Sequence, residues 1–197
     1  MTTGGASGLS SVQGYYWHAV LLGNRSLARR LQSRAFLDRR ALGGVVRGMF
    51  RVALEWLDPD PRNHAEIRQF AERVTRYTYA TYGVPADEVS QLMLREMGEV
   101  PDDDVPSAHP GIAELVVVMT AVRDLELKPG HLDRLISGAE EYVRQLGISL
   151  PAYRPGLITR LRFELAEGRR YGYPARRRWS AERMGAFVDW LRDDSAG

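Results

Sequence analysis

Five arginines and three aromatic rings interleave over a short stretch near the C-terminus: Arg169, Arg170, Tyr171, Tyr173, Arg176, Arg177, Arg178 and Trp179. Cations that track a phosphate backbone, with rings on which bases stack, are what a single nucleic-acid strand requires of a protein. Gly172 and Pro174 break the segment, so it is expected to be an irregular loop. Arg40, Arg47 and Arg51 recur at spacings that put them on one side of a helix and would add a second polyanion contact. The competing reading of the same residues is internal. The rings would pack on neighbouring helices and the guanidinium groups would pair with the carboxylates of the acidic middle of the chain.

Other chemistry finds little support. Asp102, Asp103 and Asp104 could attract a hard cation, but three consecutive acids point in different directions, whereas metal loops space their ligands by two. His64-Ala65-Glu66 has the H-x-E form of zinc deaminases, yet the chain has no cysteine to complete that site. His18, His64, His109 and His131 are dispersed, and no phosphate-cradling glycine loop or nucleophile elbow is present. No catalytic residue, cofactor or metal is therefore expected. Thr81 to Met93 has the outline of the turn and second helix of a helix-turn-helix. Asp87 and Glu88 would face phosphates there, which favours a plain helical hairpin. Tyr15, Tyr16 and Trp17, with Tyr77, Tyr79 and Tyr82, read as boundary residues with the ring inside and the polar end out.

The net charge is +2, but it is unevenly spread. Residues 25–51 hold eight arginines and one acid, residues 84–149 hold five bases and thirteen acids, and residues 154–183 hold nine arginines and three acids. Of the basic residues 26 are Arg and one is Lys. A genome-wide codon bias produces the same skew, so the excess of arginine carries little functional weight.

The element that must position these residues is Pro110 to Lys128, apolar on nearly every side of a helical wheel and so a buried central helix. Pro110 suits a first turn and Pro129-Gly130 a stop. Around it the periodicity predicts an all-α, mostly antiparallel bundle of seven to eight helices. They span about 11–32, with an interruption at Gly23-Asn24, then 38–57, 63–82, 86–97, 110–128, 131–146 and 156–167, with a last helix from Ser180. Leu157, Leu161 and Leu165 form the apolar stripe of the helix over 156–167. Residues 1–10 read as a flexible arm without the features of a signal peptide, 11–150 as the main bundle, and 151–197 as a helical extension packed on the bundle or on a second subunit.

Two functional classes follow. The first is a non-enzymatic, cytoplasmic regulatory or adaptor protein that works by protein–protein contact. It would self-associate as a homo-oligomer through Phe187, Trp190 and Leu191 on the terminal helix. The second is a regulatory protein that binds nucleic acid through the Arg/aromatic segment and the basic second helix. No membrane partner is expected.

Overall fold

Among the described residues four helix starts carry a side-chain cap that satisfies an otherwise unpaired backbone N–H. Ser11 accepts from Gly14 N at 3.0 Å, Asn24 from Leu27 N at 3.2 Å, Asp38 from Ala41 N at 2.9 Å and Asn63 from Glu66 N at 3.2 Å. The computed structural model describes residues 9–100, 110–125, 127 and 130–171, with the backbone alone at 77–82, 110, 164–165 and 167–171. The described residues are all-α. The helices are α1 Val12–Leu21, α2 Arg25–Ala35, α3 Arg39–Leu57, α4 His64–Tyr82, α5 Ala86–Glu96, α6 Pro110–Asp124, α7 His131–Gln145 and α8 Leu157–Tyr171. The break between α1 and α2 falls at Gly23, whose φ of 74° is a left-handed conformation that suits a residue without a side chain.

The chain divides into two compact units. Among the described residues one holds 9–52 with 125–171, and the other holds 53–124. The connector 148–155 lies inside the first unit and is tied there: Tyr153 N donates to Ser10 O at 2.9 Å, and Ser11 bridges to Ala152.

Within the first unit α1 is the central helix, and all ten of its residues are buried. It packs on α2 and α7. The Trp17 indole donates to Leu42 O at 3.4 Å on α3. The Tyr15 ring meets Tyr153 and Phe163, each at 5.4 Å between centroids, and Tyr16 meets Phe36 at 5.6 Å. The expectation that Tyr15, Tyr16 and Trp17 sit at a boundary is thus corrected. Rings from three other segments close around Tyr15 and Tyr16, and all three residues are buried.

Within the second unit α6 packs on α4 and α5, with Ala113 to Val122 buried throughout. The all-round apolar pattern of this helix holds. Its end is corrected from Lys128 to Asp124, and Leu125 is the first exposed turn residue after it. Val84, Val89, Leu92 and Met93 are buried, and Arg68 on α4 lies 3.6 Å from Asp87 on α5. The helix-turn-helix-like stretch is therefore a hairpin packed by its own core, with its first acid turned toward α4.

Two features of α8 also differ from expectation. It runs on to Tyr171, so Arg169, Arg170 and Tyr171 have helical backbone and do not open a loop. Two of its three stripe residues point the other way: Leu157 and Leu161 face solvent, while Phe163, on the opposite side, packs inward against Tyr15 and His18, and the Leu165 side chain lies outside the described residues.

Candidate interaction surfaces

α1 and α7 run antiparallel and share a seam of polar side chains. Glu140 on α7 is fully buried at 0% exposure. A buried carboxylate is costly unless each oxygen is bonded. Here Oε1 accepts from Ser11 N at 2.9 Å and Ser11 Oγ at 2.6 Å. Oε2 accepts from Ser10 N at 2.9 Å and Ser10 Oγ at 2.7 Å. Arg144, one turn on, reaches within 3.5 Å of Oε2 and also donates to Ser10 Oγ. The carboxylate fits because Gly14 faces it; a Cβ there would stand 2.2 Å from Oε1. Two turns along the seam, His18 Nε2 lies 3.1 Å from Asp133 Oδ1, and its ring meets Phe163 at 5.3 Å. The Glu140 carboxylate spends its bonding capacity on holding α1, α7 and the entry segment together. The seam serves as a structural clamp.

The remaining chemistry lies outside the core. On α2 the buried residues are Leu27, Ala28, Leu31 and Ala35. The opposite arc is Arg25, Ser26, Arg29, Arg30, Ser33 and Arg34, all exposed. The turn that follows presents Leu37 at 85% exposure. α3 then opens on Arg39 and Arg40, both exposed. Of the three α3 residues expected to act together, Arg40 and Arg51 are exposed and Arg47 is half-buried. The Arg51 guanidinium stands over the Tyr142 ring at 5.3 Å, and that of Arg47 over Phe50 at 5.8 Å. Such stacking holds an arginine against the protein. Arg40, Arg47 and Arg51 share one side of α3, with Arg47 and Arg51 held on rings and Arg40 exposed one residue after Arg39.

A third surface is apolar. Leu157, Ile158 and Leu161 on α8 are 73%, 67% and 48% exposed. The side chains of Arg169, Arg170 and Tyr171, and the whole of Tyr173, Arg176, Arg177, Arg178, Trp179, Phe187, Trp190 and Leu191, lie outside the described residues, as do Asp102 to Asp104. No group of three or more residues that could hold a metal ion occurs among the described residues, and no described helix is long and apolar enough to cross a membrane.

The α2 arc and the Glu140 clamp were not singled out in the sequence. For α2 a local signal existed, since no acid interrupts its arginines. For Glu140 none did, because its partners stand about 130 residues away. No family model, curated protein or solved structure matches the chain.

Proposed function

We propose that the protein is a non-enzymatic regulatory or adaptor protein that works by protein–protein contact and associates with itself through its C-terminal helical region. The observation that carries this reading is the outward face of α8. Leu157, Ile158 and Leu161 lie within about 100° of arc on one side of the helix. Their exposure leaves a contiguous apolar surface of the kind that marks a contact site. Phe163 anchors the other side of the helix on Tyr15 and His18, so the apolar face is presented on a fixed support. The Glu140 carboxylate of the α1–α7 seam is bonded within the chain, which leaves the surfaces to make outside contacts.

The test is oligomeric state by light scattering across a concentration series. The wild-type chain is expected to associate. Replacing Leu157, Ile158 and Leu161 together with Ser is expected to leave a folded monomer, and removing residues 180–197 to weaken association. A wild-type protein that stays monomeric, or a triple variant that associates unchanged, overturns the reading.

A further inference from the structure

α2 and the start of α3 break local electrostatic rules in the same direction. Arg25 and Arg29, and Arg30 and Arg34, are like charges four residues apart, an arrangement that destabilises a helix. Arg25 opens α2 and Arg39-Arg40 opens α3, so cations stand at the positive ends of both helix dipoles, and neither first turn holds an acid. Solvated helices ordinarily intersperse the two signs. Between Arg25 and Arg51 the only carboxylate is Asp38, and its side chain accepts from Ala41 N as the cap of α3. A codon bias explains Arg in place of Lys. It does not explain the absence of Asp and Glu, which are plentiful elsewhere in this chain. Repeated departures of one sign mark a site that trades local stability for a partner.

We propose that Arg25, Arg29, Arg30, Arg34, Arg39 and Arg40 form a binding surface for the phosphate backbone of duplex nucleic acid. The α2 arc holds only arginines and serines, the donor types that contact phosphate without reading sequence. Arg25 to Arg34 spans about 13 Å of helix, enough to run along several phosphates of a duplex. A single strand would need stacking platforms. The aromatic residues of this region are otherwise engaged: Phe36 packs on Tyr16 and Phe50 is buried. A lipid surface or a protein interface would need more apolar area than Leu37 provides. This surface belongs to α2 and α3, apart from the α8 face, so self-association and nucleic-acid binding are separable.

The test uses the full chain and a fluorescent DNA duplex of about 20 base pairs of arbitrary sequence, read by anisotropy. Six phosphate contacts predict that affinity falls about a thousandfold from about 50 to about 200 mM salt. The variant R39E/R40E is expected to weaken binding at least tenfold at low salt. The log–log salt slope should become shallower by about two. The same variant places acids at the start of α3 and is expected to raise the melting temperature, so lost affinity together with raised stability separates lost contacts from misfolding. The proposal is overturned by absence of duplex binding at low salt, by an affinity that ignores salt, by unchanged binding in R39E/R40E, by stronger binding to a single strand of equal length, or by binding to phosphatidylserine vesicles alone.

Discussion

Glu140→Gln is expected to destabilise the protein by about 3 kcal/mol, although the substitution changes neither size nor shape. The reason is the pairing at the carboxylate. Each oxygen receives one backbone N–H and one hydroxyl. An amide offers one oxygen and one NH2 group, so in either orientation a donor faces Ser10 N or Ser11 N. The hydroxyls can rotate away, but a backbone N–H cannot. The loss combines charge-assisted bonds of about 1.5–3 kcal/mol with an unsatisfied buried donor of about 1–3 kcal/mol. A drop of this size in a chain of this length lowers the melting temperature by about 10 °C. Hydrogen exchange supplies a local readout. The Ser10 and Ser11 amides should lose protection before the rest of α1, because they are the groups the carboxylate holds. Unchanged melting and unchanged protection at these two amides would show that α1 is anchored by its rings alone.

The clamp also shows what the sequence could and could not make visible. α6 was legible because its burial is written in its own residues: ten consecutive positions, mostly Val, Ala, Leu and Met, need no partner to be recognised as core. α1 is just as buried, but Gln13, Gly14 and His18 interrupt its pattern. Gly14 and His18 are core because α7 supplies a carboxylate opposite Gly14 and Asp133 opposite His18, and Gln13 is core because its side-chain amide donates to Ala35 O at the end of α2. Polar burial is a property of pairs distant in the chain, and periodicity within one helix does not report it. The same limit applies to Glu140, which sits beside exposed Glu141 and resembles it in every local respect. On α8, Leu157 and Leu161 had the spacing of a buried stripe, yet Phe163 on the other side found the aromatic cluster of Tyr15, and one large ring outweighed the leucines. The basic surface was half legible. The charge of residues 25–51 stands in the sequence, but its separation into a stacked pair, Arg47 and Arg51, and an outward group on α2 and early α3 depends on where Tyr142 and Phe50 lie.

Two glycines five residues apart on α3 should respond to alanine with opposite signs. Gly48 faces α7, where an added Cβ would stand 2.7 Å from the Cα of Ala139 and 2.8 Å from its carbonyl oxygen. Both are backbone atoms of a packed helix, so the contact can be relieved only by separating α3 from α7. The neighbouring contacts resist that separation. Gly44 sits against Val143, and Val52 fills the space over Gly138, so the two helices approach closely through small residues on both sides. Overpacking of this kind costs about 1–3 kcal/mol. The gain in helix propensity from Gly to Ala, about 1 kcal/mol, offsets part of it. Gly48→Ala is therefore expected to destabilise by up to about 2 kcal/mol, and Gly48→Val by more. Gly43 is exposed, and nothing lies within 4 Å of where its Cβ would be. Gly43→Ala keeps the propensity gain without the clash and is expected to stabilise by about 0.5–1 kcal/mol. Chemical denaturation of the two variants beside the wild type measures both signs. Equal responses would mean that α3 and α7 do not meet at Gly48, and stabilisation by Gly48→Ala would rule out the close approach directly.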